Sequence, residues 1–174
     1  MHRRLRKVEI DMPVVATRVK ELLDQHFICY ETIPHVTDYT ALESAEHTHT
    51  SGHQYAKAVV LYAEDTMIMA VVPAHHHVSL AVARSYLGVG FVKLAKEWRI
   101  RGHFPDCDLG AIPPFGNLYE MRTLMLPELS ENPTITFNAG SHEMAISCSS
   151  SDYETLVNPE YVANLSEAWT GGES

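Results

Sequence analysis

The chain has 174 residues, of which 45% are hydrophobic and 20% are charged. This length and composition suit one domain whose core needs neither disulfides nor a metal ion to hold it together. The formal net charge of −9 works against non-specific binding to phosphate backbones, which depends on lysine and arginine displacing counterions. A nucleic acid would have to be met by a local basic patch, and positive charge gathers in two places, Arg3 to Lys7 and Lys93 to Arg101.

The cysteines and the N-terminal segment bear on cellular location. Three cysteines without a C-x-x-C pair leave an odd thiol, which argues against both a disulfide scaffold and a zinc ribbon. The basic segment from Met1 to Lys7 is not followed by an apolar stretch, and the chain contains no run of roughly 18 apolar residues. We therefore expect a cytoplasmic protein that is neither secreted nor inserted into a membrane.

The first elements in chain order are a helix, a strand and a second helix. Apolar residues at i, i+4, i+7 and i+8 predict an amphipathic helix over 12–25, with Asp11 as its N-cap. The run from Ile28 to Ile33 is short and rich in β-forming residues, which favours a strand. The segment Thr40 to Glu43 has the capping-box spacing that begins a helix.

A hydrophobic hairpin is predicted in the middle of the chain. Two apolar runs, 58–63 and 66–72, flank Glu64 and Asp65 and predict antiparallel strands at the centre of a sheet. A helix over 79–87 is closed by Gly88. The further predicted elements are a strand over 89–94, a short helix over 95–103, a loop over 105–117, strands over 121–126, 134–138 and 144–148, and a last helix beginning at the capping box Ser151 to Glu154.

These elements mix helices and strands without the regular βαβ alternation of a doubly wound fold. The expected class is therefore α+β, with a mixed, mostly antiparallel sheet flanked by helices. We expect residues 1–174 to form a single domain.

Three short motifs are candidates for chemistry. The segment Gly110 to Gly116 reads G-A-I-P-P-F-G and predicts a stiff, exposed loop, in which glycines permit close approach to a ligand and the remaining amides can form a cradle for an oxyanion. Lys57 stands directly before an apolar strand, where it can hold a phosphate or carboxylate or orient a water. The segment Asn138 to His142 closes another strand with small residues. Taken singly, each motif also fits an ordinary surface turn or a solvated charge.

In combination, the ordered motifs resemble the YbaK/EbsC family, which includes the editing domain of bacterial prolyl-tRNA synthetases and its free-standing relatives. The similarity also includes A-V-V-P at 70–73 and covers about residues 14–160. It implies an enzyme, an aminoacyl-tRNA deacylase acting in trans on the ester between an amino acid and the terminal adenosine of a tRNA. Alanine on proline tRNA is the best-known substrate of the family, and an aminoacyl-tRNA synthetase is suggested as a partner.

The resemblance also assigns roles to residues. The Gly110 to Pro114 element lines the aminoacyl pocket with backbone donors, Lys57 is required for activity, and His142 helps decide which side chain fits. A lysine of ordinary pKa is a poor general base at neutral pH, so we expect Lys57 to hold the terminal phosphate or the reacting end. Water would be the nucleophile, with the tRNA's own 2′- or 3′-hydroxyl assisting. The residues expected in catalysis are Lys57, Gly110, Ala111 and Ile112, and those expected to bind substrate are Tyr30, His35, Pro113, Pro114, Phe115, Gly116, Asn138, Gly140, Ser141 and His142.

Eleven histidines, among them His47, His49, His53 and the run His75 to His77, raise the alternative of a metal site. Consecutive histidines point in diverging directions and no cysteine or acidic ligand lies at a typical spacing, so we expect neither a metal nor a cofactor. Two further alternatives stay open. One is a non-catalytic module that binds a tRNA end or an amino acid, and the other is a hydrolase of another small acyl ester.

Overall fold

The computed structural model describes residues 15–35, 41–48 and 50–168. Its helices are α1 (Thr17–Gln25), α2 (Ala41–His47), α3 (Leu80–Leu87), α4 (Glu97–Ile100) and α5 (Ser150–Val157). Its strands are β1 (Tyr30–Pro34), β2 (Tyr55–Ala63), β3 (Thr66–Pro73), β4 (His76–Val78), β5 (Val92–Leu94), β6 (Arg122–Met125), β7 (Thr134–Ser141), β8 (Met144–Ser149), β9 (Glu160–Tyr161) and β10 (Ser166–Ala168). Short 3-10 helices lie at Gly116–Tyr119 and Pro127–Glu131.

The main sheet has the strand order β1-β8-β7-β2-β3-β6-β9, and β5 also pairs with β2. The pairs β1/β8, β7/β8, β2/β3 and β2/β5 are antiparallel, whereas β2/β7, β3/β6 and β6/β9 are parallel. A separate pair of strands joins β10 to β4. The α+β class with a mixed, mostly antiparallel sheet is therefore confirmed. The predicted hairpin is confirmed as well, because Ala63 pairs with Thr66 across the turn.

The core lies on both faces of the β2–β3 hairpin, since successive side chains of a strand point to opposite sides. On one face Val60 and Met69 pack with Phe115 and Phe137. On the other face Leu61 belongs to a second cluster, which also contains Ile68, Val72 and Leu165. Burying each large apolar side chain stabilises the fold by about 1.5–3 kcal/mol, so this hairpin is the rigid centre on which the neighbouring loops rest.

Two helix starts differ from the prediction. Helix α1 begins at Thr17 rather than at residue 12, because the Ala16 backbone is not helical (φ −52°, ψ 121°) and its amide donates to the carbonyl oxygen of Ala139 at 2.6 Å. The predicted cap Asp11 lies outside the described residues, as does Thr40 before α2. Helix α5 is capped by Ser149, whose Oγ accepts from the amide of Asp152 at 3.0 Å. The capping box at Ser151 was therefore wrong by two residues, in a run of serines that offers several caps.

The remaining differences concern short elements. Helix α3 is confirmed, with Ser79 as its N-cap and Gly88 at φ 66° as its C-cap. The strand predicted over 89–94 and the helix predicted over 95–103 are each shortened, to β5 and α4. Strands β4, β9 and β10 were not predicted, because two or three residues show no usable alternation. Within the described ranges, no helix has the length and apolar character that crossing a bilayer requires.

Candidate active site

A bulge of two residues interrupts β7 at the Asn138–His142 motif. Asn138 pairs with Ala145 and Ser141 pairs with Met144, so two residues of β7 have no counterpart on β8. One of them, Gly140, has φ 97°, and a Cβ atom there would lie 2.7 Å from the Cβ of Ala16. Only glycine fits this position, because both the backbone angle and the space exclude a side chain.

The bulge is hydrogen-bonded to the turn that contains Gly110. Asp108 donates its amide to the carbonyl oxygen of Gly140 at 2.7 Å, and Gly140 donates its amide to the carbonyl oxygen of Ala111 at 3.0 Å. The turn itself closes through the Ala111 amide and the Asp108 carbonyl at 3.1 Å. Its third residue, Gly110, has φ 83°, as a type II turn requires. Among the described residues, the amides of Gly110 and Ile112 make no backbone hydrogen bond, in contrast to the Ala111 amide between them.

The Pro-Pro-Phe-Gly part of the loop is buried, in contrast to the predicted exposed loop. The ring of Phe115 is fully buried against Phe137 and Tyr153, with centroid separations of 5.2 and 5.3 Å. The Tyr153 hydroxyl also donates to the Pro114 carbonyl oxygen at 2.6 Å. A Cβ on Gly116 would lie 2.9 Å from the carbonyl oxygen of Met121. These residues therefore fix the loop to the core. The loop is buried rather than exposed because the Phe115 ring packs among other aromatic rings.

A cavity of about 390 Å³ opens where one edge of β2 is left uncovered. Strand β7 pairs with β2 only at Tyr55 and Ala56, and β5 pairs with it only from Leu61 onward. The gap between them forms the floor of the cavity. The lining residues are Ala58, Val59, Val60, Leu94, Ala95, Glu97, Ile100, Leu109, Gly110, Ile112 and His142. The structure thus brings Gly110, Ile112 and His142 together around one space.

Lys57 lies on β2 directly before the cavity floor and pairs with Val72 of β3. Its side chain is half-buried, and burial lowers the pKa of its ammonium group below the usual 10.5. It is not a lining residue itself, but its neighbour Ala58 is. Lys57 also acts on His76, whose pKa is lowered by burial first and then by the charges of His75, His53 and Lys57. The half-buried Lys57 ammonium therefore lies within electrostatic reach of His76, and the cavity floor begins at the next residue along β2.

The other predicted site residues are more dispersed. Asn138 is buried, and its Oδ1 accepts from the Tyr55 hydroxyl at 2.7 Å, which ties β7 to β2. His35 donates its amide to the carbonyl oxygen of Glu143 at 3.0 Å and so lies near the turn that carries His142. The Tyr30 hydroxyl donates to Asp24 Oδ1 at 2.8 Å, and Tyr30 does not line the cavity.

One wall of the cavity was missing from the sequence prediction. It consists of Leu94, Ala95, Glu97 and Ile100, from β5, α4 and the link between them. Ala95 fixes this wall to the floor by donating its amide to the Val60 carbonyl oxygen at 3.0 Å. The cluster of positive charge between Lys93 and Arg101 was the signal that could have drawn attention to this segment.

Two cysteines and a group of histidine rings are further candidates for reactive or ligating groups. Burial raises the pKa of both Cys107 and Cys148 to about 12, which keeps these thiols protonated at neutral pH. The rings of His53 and His75 lie 4.2 Å apart edge to face, and those of His75 and His76 lie 4.4 Å apart. Within residues 15–35, 41–48 and 50–168, no three histidine, cysteine or acidic side chains are grouped to hold a metal ion.

The fold and the cavity define an α+β protein whose candidate site is lined by apolar residues and Gly110 together with Glu97 and His142. A family model described as the aminoacyl-tRNA editing domain matches residues 35–156, which is more than half of the chain. The chain therefore belongs to the aminoacyl-tRNA editing domain family, and the resemblance to YbaK-like editing domains is confirmed.

Solved structures with the same fold cover nearly the whole of the described chain. One is described as a candidate trans-editing enzyme for prolyl tRNA synthetase, with 18% identity and a TM-score of 0.73, covering 85% of this chain and 94% of its own. A computationally designed epitope scaffold has 18% identity and a TM-score of 0.75, with coverages of 87% and 97%. A protein described only as hypothetical has 14% identity and a TM-score of 0.76, with coverages of 86% and 99%. A search of curated proteins found no match.

Proposed function

We propose that this protein is a free-standing hydrolase that cleaves the ester bond of mischarged tRNA in trans and releases a small amino acid such as alanine from proline tRNA. The observation that carries the proposal is the cavity of about 390 Å³ in which Gly110, Ile112 and His142 meet, over a floor that begins at Ala58, the residue after Lys57. Its volume falls within the range of about 300–1,000 Å³ typical of small-ligand sites. Membership of the editing family and the structural neighbour described as a candidate trans-editing enzyme support the same reaction.

The reaction needs an activated water, a site for the oxyanion and a way to hold the tRNA end. Water attacks the carbonyl carbon of the aminoacyl ester, and the carbonyl oxygen becomes an oxyanion. The amides of Gly110 and Ile112 donate to that oxyanion, which is worth most in a site closed to bulk water. The tetrahedral intermediate then collapses, the ester C–O bond breaks, and the ribose oxygen takes a proton to regenerate the tRNA hydroxyl. The neighbouring ribose hydroxyl assists the proton transfer, so no serine or cysteine nucleophile is required.

Lys57 holds the substrate rather than forming a covalent bond to it. Its half-buried ammonium is destabilised in the free protein, because burial lowers its pKa. A phosphate or the polar end of the aminoacyl group compensates that cost when it binds. Removing the charge is therefore expected to weaken the reaction strongly. His142 lines the cavity and contributes to the choice of amino acid, in which one methylene changes discrimination by only about 1–3 kcal/mol.

The test is a deacylation panel in which purified tRNAs charged with alanine, cysteine, serine or threonine are incubated with the protein and residual ester is measured over time. We expect turnover of at least one small aminoacyl-tRNA. Lys57→Ala should lower kcat/KM by about 100-fold or more, the scale at which loss of a positioning or charge-stabilising group acts. Lys20→Ala is the matched control, because Lys20 is an exposed lysine of α1 paired with Asp24 at 2.6 Å, away from the cavity lining.

Two results would contradict the proposal. Absence of turnover with every aminoacyl-tRNA in the panel would exclude the enzyme, and tight binding without hydrolysis would indicate a binding module. Unchanged turnover by a folded Lys57→Ala variant would exclude the mechanism but not the activity.

A pull-down with the cognate aminoacyl-tRNA synthetase tests the partner that the proposal suggests. The proposed cytoplasmic location can be tested by cell fractionation.

A further inference from the structure

An exposed aromatic and basic surface lies next to the candidate site on β5 and α4. Trp98 is 67% exposed, and Leu94 and Phe91 are 58% and 48% exposed. The Arg99 guanidinium lies 4.4 Å from the ring centroid of Tyr62 and 4.9 Å from that of Trp98. Exposed apolar and aromatic side chains grouped in this way mark a binding surface.

Three adjoining depressions connect this surface to the candidate site. The largest has a volume of about 580 Å³ and is lined by Tyr62, Asp65, Thr66, Met67, Trp98, Arg99, His103, Tyr119, Glu120 and Met121. A cleft of about 80 Å³ shares Tyr62, Trp98 and Arg99 with it. The same cleft shares Leu94 and Ala95 with the site cavity. A ligand in the site cavity can therefore continue along α4 into the large depression.

The charge of this segment is opposite to that of the whole protein. Between residues 91 and 103 there are four basic side chains, Lys93, Lys96, Arg99 and Arg101, and one acidic side chain, Glu97. The chain as a whole carries −9. A local excess of positive charge in an acidic protein indicates a binding surface for a polyanion.

We propose that this surface binds the unpaired nucleotides at the 3′ end of the tRNA, immediately before the adenosine that carries the amino acid. Bases stack on Trp98 and on the Tyr62–Arg99 pair, and phosphates contact Lys93 and Lys96. Aromatic faces combined with a basic track are the features that single-stranded nucleic acids require. The inference deepens the proposed function and rests on it for the identity of the nucleic acid.

The acidic residues of the large depression fit the bases of this strand. Asp65 and Glu120 line the depression together with Trp98. A carboxylate repels phosphate, but it accepts hydrogen bonds from exocyclic amino groups such as that of cytosine. Every base of the common 3′ sequence CCA carries such an amino group. The arrangement therefore favours bases in the depression and phosphates on the lysine side.

The experiment measures binding of two fluorescent RNA hairpins that share one acceptor stem, one with the unpaired 3′ CCA end and one without it. Wild-type protein should prefer the hairpin with the overhang, and Trp98→Ala should weaken its binding about 10-fold or more, as loss of one base-stacking contact predicts. Lys93→Ala and Lys96→Ala should each lower the slope of log K against log salt by about 0.7. In steady state, Trp98→Ala should raise KM about 10-fold at nearly unchanged kcat.

The controls are an exposed aromatic and an exposed cation elsewhere on the protein. Phe27 is 92% exposed at the end of α1, and Arg84 is exposed on α3. Phe27→Ala and Arg84→Ala should change neither binding nor salt dependence. Equal binding of the two hairpins by wild-type protein would overturn the inference, as would unchanged affinity and KM in Trp98→Ala. Overhang-specific binding without ester hydrolysis would instead contradict the proposed function alone, so the two failures are distinguishable.

Discussion

The clearest test of the site architecture is Gly140→Ala. A side chain at φ 97° costs about 1–3 kcal/mol in backbone strain. The added Cβ would lie 2.7 Å from the Cβ of Ala16 and 3.1 Å from its amide nitrogen, which adds an overpacking cost of about 1–3 kcal/mol. The sum, roughly 2–6 kcal/mol, is a large share of the total of about 5–15 kcal/mol expected for a native protein. Since Gly140 also holds the turn through Asp108 and Ala111, activity should fall with stability.

Gly88→Ala is the matched control. Gly88 has φ 66°, but a Cβ there would meet nothing within 4 Å. Its substitution should cost only the left-handed backbone strain of about 1–2 kcal/mol and leave kcat/KM unchanged. Urea unfolding of both variants, followed by circular dichroism, measures the difference. Equal losses for the two glycines would refute the reasoning.

A second substitution separates the clash from the strain if Gly140→Ala folds poorly. Ala16→Gly removes the Cβ that lies 2.7 Å from the new methyl group. The double variant should recover part of the stability and part of the deacylation rate, because the contact with the Ala16 amide and the positive φ remain. A double-mutant cycle gives the coupling energy between the two positions. An additive cycle would mean that the bulge does not pack against Ala16 as described.

Three other changes have defined outcomes. Tyr153→Phe removes the donor to the buried Pro114 carbonyl and should lower the free energy of unfolding by about 1–3 kcal/mol in urea titrations; no loss would mean that this bond is not made. Lys57→Met should raise stability at pH 7 while abolishing the charge, since the lysine pKa is lowered on folding; the gain should vanish as the pH rises toward 10.5, and a pH-independent gain would contradict the burial argument. Arg122→Ala breaks a bidentate pair with Glu160, with both distances 2.7 Å, and should cost about 1 kcal/mol at neutral pH. The Arg122→Ala loss should disappear in acid once Glu160, whose pKa Arg122 lowers, is protonated, and urea midpoints at several pH values measure it.

Elements with long runs of apolar residues could be predicted from the sequence. Features that depend on contacts between distant residues, such as the start of a helix or the burial of a loop, could not. The hairpin of β2 and β3 was predictable because two long apolar runs flank a two-residue polar turn. The start of α1 was not predictable, because the partner of the Ala16 amide is Ala139, far away in sequence. The burial of Phe115 was hidden for a similar reason: a Pro/Gly-rich string looks like a surface turn unless the aromatic cluster that covers it is known.

The candidate site divides in the same way. Lys57 and the Gly110 to Gly116 loop could be singled out because unusual residue types stand at element boundaries. The wall formed by Ala95 and Ile100 could not, because ordinary apolar residues line the cavity only after β5 has paired with the far end of β2. The chemical type of each side chain can be read from the sequence. A gap along the edge of a strand cannot, because it depends on which strands pair with it and over which residues.

In the proposed site the hydrogen-bond donors are backbone amides. The activity should therefore depend on how the loop that carries these amides is packed more than it would with side-chain donors. The proposed donors at Gly110 and Ile112 are backbone amides, so truncating a side chain does not remove them; short of a proline substitution, a mutation can only displace them. Displacement must come through the contacts that hold the loop, which are the Gly140 bulge on one side and the Phe115 and Tyr153 rings on the other. Because interiors are close-packed and transmit strain, a change at Tyr153 in the core should lower turnover even though it touches no substrate. The half-buried Lys57 would act in the opposite direction under the proposed mechanism, because its buried charge lowers the stability of the free protein and would be compensated by an anionic substrate.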